Sequence, residues 1–163
     1  MRRNNQGQTG VEEKRSRKTR SVRDCALSLL QRSDKTAQEM RQKLKEREYQ
    51  QEEIEETLDF LEEYHYVDDE EYVRKYIRSY GARKSARRIR AELEKRGVDA
   101  ELIEAGMAEI PVDEEEQIAV WIRKKGYETD QQLEPEKYRK LTAALARRGY
   151  SFEMIRKVTA QMY

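Results

Sequence analysis

The chain has 163 residues, of which 41% are charged and 36% hydrophobic, and its formal net charge at pH 7 is +1. This share of apolar residues is too small for one thick core. We therefore expect several small bundles with a large solvent-exposed surface. A single cysteine excludes an internal disulfide framework, and no apolar run is long enough to cross a membrane, so a cytoplasmic protein without a membrane partner is expected.

The N-terminal residues show no periodic pattern and are rich in Asn, Gln, Gly and Arg. Because such a composition is typical of disorder, residues 1–20 are predicted to be a disordered basic tail. After this tail, apolar residues recur with the period of a helix, and no run alternates with the period of a strand. Nine helices are predicted, near residues 21–31, 36–47, 50–64, 69–80, 84–96, 99–109, 113–125, 135–148 and 151–162.

An internal repeat organises these helices. Three segments of 22 residues, beginning at Met40, Ile89 and Leu141, align without a gap, and each reads as helix, tight turn, helix. A further amphipathic helix precedes each pair. The predicted fold class is therefore all-α, with three tandem three-helix-bundle repeats in an elongated, curved array. The repeats are assigned to residues 21–66, 67–111 and 112–163.

Local signals mark the ends of several helices. Gly97 and Gly149 follow the second helix of their repeats, where a glycine in the left-handed conformation commonly ends a helix. Glu48 stands at the corresponding position of the first repeat, so that turn is predicted to be either strained or differently shaped. Thr36 and Glu39 have the spacing of a capping box.

Residues with the arrangement of a catalytic or metal site are lacking. His65 is the only histidine and has no cysteine near it, so it is interpreted as a surface residue and not as a zinc ligand. Cys25 lies in an apolar pattern and is interpreted as a packing residue. The paired Asp68 and Asp69 are interpreted as helix caps. A binding protein that is not an enzyme and needs no cofactor or metal is predicted.

Charge changes sign abruptly along the chain. Residues 46–71 hold thirteen acidic side chains and one basic one, whereas residues 74–96 hold ten basic and two acidic ones. A solvated face usually mixes signs, so a surface for a polyanion or an acidic protein is favoured over a plain solvated face. The helical period of residues 84–96 predicts that four basic side chains project away from the core, namely Lys84, Arg87, Arg88 and Lys95, while Arg90 and Arg96 flank the apolar stripe. The candidate binding residues are Arg74, Arg78, Lys84, Arg87, Arg88 and Lys95.

The sequence resembles the RecX family of bacterial recombination regulators over roughly residues 22–162. The resemblance rests on the stretches "YVDDEEYVRKYIRS" and "ARRIRAELEKRGVDAELIEAGM", and on "RSDKTAQEMRQKLKEREYQQEEIEETLDFLEEYHYVDD" for the first repeat. It implies three tandem three-helix repeats, in agreement with the internal repeat. It also implies binding to the RecA–single-stranded DNA filament and inhibition of RecA's strand exchange, ATP hydrolysis and co-protease activity, in DNA repair and the SOS response.

Two positions depart from the family's pattern. Lys84, Ser85 and Ala86 stand where the family often has a glycine, and Glu48 replaces a usual turn glycine. The family offers no defined catalytic set, so the candidate residues rest on charge geometry alone. Two other classes remain open: a helical repeat protein that binds single- or double-stranded DNA without RecA, and an enzyme, for which the residues are lacking. The chain is expected to act as a monomer with RecA and RecA–DNA filaments as its partners.

Overall fold

The computed structural model describes residues 20–163, and within that range it contains helices and no strand. The predicted all-helical class is confirmed for this part of the chain. The predicted tail lies outside the described residues, apart from Arg20. The helices are α1 (Val22–Leu30), α2 (Ala37–Glu46), α3 (Gln51–Glu63), α4 (Asp69–Tyr80), α5 (Ala86–Lys95), α6 (Ala100–Glu109), α7 (Glu114–Lys124), α8 (Pro135–Arg147) and α9 (Phe152–Thr159).

The chain forms two compact units, which meet in sequence between Asp69 and Glu70. In the first unit, α1–α3 and Val67 surround one apolar core. In the second unit, α4–α6 surround one core and α7–α9 surround another. Three three-helix groups therefore exist, as the internal repeat predicts, while the limits assigned to the repeats stay a prediction. No helix between residues 20 and 163 is long and apolar enough to span a bilayer.

Aligned positions of the repeats occupy equivalent places in the three cores. Apolar residues recur there because each helix must bury one stripe against its two neighbours. The buried sets are Met40, Ile89 and Leu141; Leu44, Leu93 and Leu145; and Ile54, Ile103 and Ile155. Cys25 is also buried, which confirms its interpretation as a packing residue.

Side-chain caps fix the start of several helices. Thr36 and Glu39 form the predicted capping box at α2. Ser85 caps α5, because its Oγ accepts the backbone N–H of Arg88 at 3.2 Å. Pro135 is the first residue of α8, where its fixed φ suits a helix and its missing N–H costs no hydrogen bond. Each cap satisfies a backbone group that the first turn of a helix leaves without a partner.

A second cap at α2 and at α5 comes from Asp69 and Glu114, the first residues of α4 and α7. The Oδ1 atom of Asp69 accepts the backbone N–H of Ala37 at 2.9 Å, and Oε1 of Glu114 accepts that of Ala86 at 2.8 Å. Asp69 is predicted to cap its own helix, but the structure directs this carboxylate to the N-terminus of α2. A carboxylate there is favourable because it meets the positive end of the helix dipole.

The turns after α2, α5 and α8 share one backbone conformation. Gly97 and Gly149 have φ values of 80° and 98°, as predicted, and Glu48 has a φ of 63°. Of the two possibilities predicted for the first turn, the strained one is therefore correct. A side chain in this conformation costs about 1–2 kcal/mol, because its Cβ approaches a backbone oxygen.

Buried polar contacts join the second and third repeats within the second unit. The side-chain amide of Gln117 donates to the backbone oxygens of Gly81 and Lys84 at 2.5 and 3.0 Å, and its oxygen accepts the Tyr150 hydroxyl at 2.8 Å. Burial raises the pKa of Tyr150, so this hydroxyl stays a donor. These contacts hold α7 against the loop between α4 and α5.

The turn at Gly149 packs against the same loop. Ser85 Oγ donates to the backbone oxygen of Arg148 at 3.2 Å. A Cβ at Gly149 would lie 2.6 Å from Ser85 Oγ. Glycine is therefore required there both by the positive φ and by the close approach of the two repeats.

Candidate functional site

Arg74, one of the predicted binding residues, belongs to an ion-pair network on α4. Its Nε donates to Glu109 at 2.9 Å, its Nη2 donates to Glu70, and its Nη1 lies 3.5 Å from Glu71. Hydrogen bonds that Arg74 donates to Glu109 and Glu70 raise the pKa of its guanidinium group. Arg78 lies 3.6 Å from Glu71, but 56% of its side chain is exposed. Arg78 is therefore the more open of the two cations.

Lys84 is predicted to project from the core, and the structure contradicts this. Only 19% of its side chain is exposed, and its Nζ donates to Glu92 at 2.6 Å and to the Tyr76 hydroxyl at 3.1 Å. The same ammonium lies 3.8 Å from the centre of the Tyr80 ring. The reason is local: Ser85 caps α5, so Lys84 precedes the helix and a helical wheel does not describe its direction.

Glu92 is the acceptor at the centre of this cluster. It receives hydrogen bonds from Lys84, Tyr76 and Arg88. Hydrogen bonds from Lys84 and then from Tyr76 lower the pKa of Glu92 to about 2. Burial alone lowers the pKa of Lys84, but its bonds to Glu92 and Tyr76 outweigh burial and raise it. The cluster therefore holds a charged pair at neutral pH and serves the packing of α4 against α5.

The remaining predicted residues lie on α5 and are exposed. Arg87 and Lys95 are open to solvent and carry no ion pair with any described residue. Arg88 donates to Glu92 at 3.0 Å, yet 53% of its side chain is exposed. An exposed pair of this kind contributes only about 0.3–0.5 kcal/mol, so a phosphate can replace Glu92 as its partner. Arg87, Arg88 and Lys95 are called the α5 basic face below.

Another basic residue of α5 is held by an ion pair that recurs between repeats. Nε and Nη2 of Arg90 donate to the two carboxylate oxygens of Glu104 at 2.6 and 3.2 Å. Arg41 and Glu55 make the same two-bond contact in the first repeat, at 2.8 and 3.2 Å. The hydrogen bond from Arg90 lowers the pKa of Glu104. In both repeats this pair joins the second helix to the third.

The third repeat holds basic residues that the sequence interpretation missed. Residues 135–163 contain seven basic side chains and only Glu136 and Glu153 as acidic ones. Arg139 and Arg156 are exposed and carry no ion pair with any residue of the described chain. A charge count over this segment identifies them, although the basic stretch at 74–96 is denser. The basic residues are Lys137, Arg139, Lys140, Arg147, Arg148, Arg156 and Lys157.

The described residues offer no metal site. Between residues 20 and 163, no group of three His, Cys, Asp or Glu side chains is placed to hold an ion. His65 has an 81% exposed side chain and lies 3.6 Å from Asp68. Its exposure is in keeping with the interpretation of His65 as a surface residue.

Family models match each of the three helix groups. Residues 23–61 match "RecX, first three-helix domain", residues 68–107 match "RecX, second three-helix domain", and residues 113–159 match "RecX, third three-helix domain". The matches leave unmatched mainly the N-terminal residues and the short segments between the helix groups.

Curated relatives and solved structures agree with these models. The chain is 36% identical over 146 residues to "Regulatory protein RecX" of Vibrio parahaemolyticus, covering 88% of this chain and 92% of the relative. It is 28% identical over 142 residues to the protein of that name from Clostridium botulinum, covering 85% and 67%. The crystal structure of RecX from Lactobacillus salivarius superimposes with a TM-score of 0.73 at 19% identity, covering 86% of this chain and 94% of that one.

Proposed function

Because the chain belongs to the RecX family of regulatory proteins, we propose that it regulates the RecA recombinase. It binds the RecA–single-stranded DNA filament and inhibits strand exchange, ATP hydrolysis and co-protease activity, and so acts in DNA repair and the SOS response. It acts by binding and not by catalysis, as a monomer in the cytoplasm. Membership of a regulatory family supports this role.

The observation that carries the proposal is the family match to all three helix groups. A regulator that used one isolated domain would need only one of them. Charges spread over several repeats suit a groove formed by successive subunits of a filament better than a pocket on one subunit. Several weak contacts then act together through a high effective concentration.

The α5 basic face is the part of the surface that we assign to the filament. Arg87 and Lys95 have no ion pair with a carboxylate of residues 20–163, and the ion pair of Arg88 is exposed and weak. Phosphates of bound DNA attract such side chains and release counterions when they meet them. Arg78 is a further candidate, whereas Arg74 and Lys84 are removed from the contact set because internal carboxylates hold them.

The exposed carboxylates of α3 set a limit on the binding mode. Glu52, Glu53, Glu56 and Asp59 are exposed on this helix of the first unit. Like charges repel phosphate, so α3 faces solvent or a basic patch of the protein partner. Any contact of α3 with the filament is therefore with its protein component and not with its DNA.

The test is the DNA-dependent ATPase of RecA, titrated with the full chain on single-stranded DNA. We expect ATP hydrolysis to fall as the chain is added, with saturation below one chain per RecA subunit if one chain spans several subunits. A parallel titration without DNA controls for effects on RecA alone. No change in hydrolysis at any excess of the chain would contradict the proposal.

A second measurement separates the proposal from a helical repeat protein that binds DNA without RecA. Binding of the chain to labelled single-stranded DNA is compared with and without RecA and nucleotide. The proposed function requires much tighter binding when the filament is present. Equal affinity in both cases, together with no effect on the ATPase, would leave direct DNA binding as the function.

A further inference from the structure

An open groove runs between α8 and α9 in the third repeat. Its volume is about 380 Å³, at the lower end of the range of about 300–1,000 Å³ for ligand sites. Its walls carry aromatic rings, aliphatic groups and two arginines, and no carboxylate. The lining residues are Tyr138, Arg139, Thr142, Ala143, Phe152, Ile155 and Arg156.

This groove lies where the other two repeats carry an ion pair. The repeat alignment places Thr142 and Arg156 at the positions of Arg90 and Glu104 in the second repeat. In the second repeat, Arg90 and Glu104 form two hydrogen bonds that cover this part of the surface. The same contact cannot form in the third repeat, because Thr142 is short and Arg156 has the opposite charge to Glu104. Arg156 is therefore left exposed and without an ion pair among the described residues.

Around the same position, the third repeat has aromatic side chains where the second repeat has alanines. Phe152 and Tyr138 align with Ala100 and Ala86 of the second repeat. The Phe152 ring is 78% exposed, although it stands beside the core residue Ile155 in the groove wall. A partner that covers this ring gains the free energy of removing its apolar surface from water. Loss of the ion pair and gain of the rings therefore occur at one place on the surface.

An exposed aromatic ring beside guanidinium groups that have no ion pair among the described residues is typical of a site for single-stranded nucleic acid. Bases stack on aromatic side chains whatever their identity, and nearby arginines meet the phosphates. Arg139 and Arg156 both line the groove, which places a cation on each of its two helices. Tyr138 stacks on Tyr163 with ring centroids 4.9 Å apart, which adds a second aromatic surface at the side of the groove.

We propose that the α8–α9 groove binds single-stranded nucleic acid, with a base stacked on Phe152 and phosphates held by Arg139 and Arg156. An acidic protein segment would satisfy the two arginines, but it gives the flat exposed ring no planar partner. A base and its phosphate satisfy both. Duplex DNA is a poorer ligand, because its bases are already stacked on one another.

The inference deepens the proposed function and rests on it for its biological setting, since a recombinase filament presents single-stranded DNA. It is tested without RecA, so the two ideas fail separately. A full chain that binds an oligonucleotide through the groove but leaves the RecA ATPase unchanged would retain the site and remove the proposed function. A full chain that inhibits RecA, but whose binding to the oligonucleotide does not depend on the groove, would retain the proposed function and remove the site.

The first variant restores the ion pair of the other repeats, as Thr142→Arg together with Arg156→Glu. The pair already occurs at this position in two repeats, so the fold is expected to persist. Fluorescence anisotropy with labelled oligo-dT measures binding by the full chain. We expect affinity at least tenfold lower and a salt slope smaller by about 0.7, the value for one phosphate contact on a single strand. Arg32→Gln, an exposed residue of the first unit, gives the same change in net charge and should bind like wild type.

The second set of variants tests stacking. Phe152→Ala and Phe152→Leu are both expected to weaken binding about tenfold, whereas Phe152→Trp should bind at least as well as wild type. Tyr64→Ala removes a comparably exposed ring of the first unit and should have no effect. Unchanged binding by Phe152→Ala would overturn the proposal, and so would full binding by Phe152→Leu, because an apolar contact without a ring would then suffice.

Competition separates nucleic acid from an acidic protein segment. Unlabelled oligo-dT should displace the labelled strand, while polyglutamate at the same charge concentration and duplex DNA should displace it weakly. Displacement by polyglutamate as strong as that by oligo-dT would show a site for acidic chains of any kind and would overturn the assignment.

Discussion

In the second repeat, carboxylates hold several of the basic side chains: Arg74 pairs with Glu109, Lys84 with Glu92 and Arg90 with Glu104. Residues 112–163 contain ten basic side chains, as many as residues 67–111, and Arg139 and Arg156 among them carry no ion pair with any described residue. Net charge along a segment is therefore a poor measure of the charge that a partner can reach. Pairing in three dimensions decides which cations hold the fold together and which are available for binding.

The two repeats also differ in how their turn glycines are packed. Gly97 follows α5 and is exposed, whereas Gly149 follows α8 and approaches Ser85 closely. The first glycine serves one turn, and the second also serves the contact between two repeats. Substitutions at the two glycines test the difference in packing, and substitutions at cations with and without an ion pair test the difference in pairing.

The largest expected effect is at Gly149. Gly149→Val should destabilise the chain by about 2–4 kcal/mol, because a positive φ and a clash with Ser85 add together. Gly97→Val should cost about 1–2 kcal/mol, from the positive φ alone. Urea unfolding followed by the fluorescence of Trp121, the single tryptophan, measures the Gly149 change inside the third repeat. Far-ultraviolet circular dichroism measures both variants, and equal losses would show that the close approach adds nothing.

The next effect separates a paired cation from an unpaired one. Lys84→Met should destabilise by about 1.5–3 kcal/mol, because it removes charge-assisted hydrogen bonds and leaves Glu92 with fewer donors. Arg87→Met should change stability by no more than about 0.5 kcal/mol, because its side chain is exposed and carries no ion pair within the described part of the chain. Urea denaturation of the two variants provides the comparison. Similar values for both would mean that the Lys84 cluster does not stabilise the second repeat.

A smaller effect concerns the pH dependence of the same cluster. The pKa of Glu92 is lowered to about 2 from an ordinary value of 4.5, so its contribution is complete above pH 4.5 and is lost as the pH falls towards 2. After allowance for solvent screening, we expect a loss of about 1–2 kcal/mol in this window. Glu92→Gln should lack this component, while the other carboxylates titrate alike in both proteins. The difference between the two curves of unfolding free energy against pH gives the contribution of Glu92. Parallel curves would show that Glu92 does not stabilise the fold through its charge.

The smallest effect is at the turn of the first repeat. Glu48→Gly should be neutral or stabilising by up to about 1 kcal/mol, because it removes the strain of a side chain at positive φ but makes the unfolded chain more flexible. Thermal unfolding checks the sign. A clear destabilisation would show that the Glu48 side chain contributes a contact that outweighs the strain.

Much of the fold was predictable because its signals are local. Helical periodicity, the capping box at Thr36 and Glu39, and the positions of Gly97 and Gly149 act within a few residues, so the sequence reveals them directly. Glu48 was harder, because sequence does not decide between strain and a different turn. The structure does decide, with a φ of 63°.

The candidate site was less predictable because pairing is not local. Arg74 and Glu109 are 35 residues apart, and no pattern along α4 reveals their contact. A helical wheel gives the wrong direction for the Lys84 side chain, because Lys84 lies two residues before the first residue of α5. The buried Gln117 and the exposed Phe152 each depart from the usual burial of their residue type, and only a structure shows which side chains do so.

Exposed cations of the second repeat, either without an ion pair among the described residues or held only by a weak one, bind the filament in the proposed function. It predicts that a variant with Arg87, Arg88 and Lys95 all changed to Glu keeps its helical content but loses inhibition of RecA. A matched variant with Arg32, Lys43 and Lys45 changed to Glu has the same change in net charge in the first unit and should inhibit like wild type.

The deciding measurement is a titration of the RecA ATPase on single-stranded DNA with the wild type and these two variants. We expect half-inhibition by the α5 variant to need at least tenfold more protein than the wild type, while the matched variant follows the wild-type curve. Inhibition by the α5 variant at wild-type concentrations would contradict the account and move the contact away from the α5 basic face.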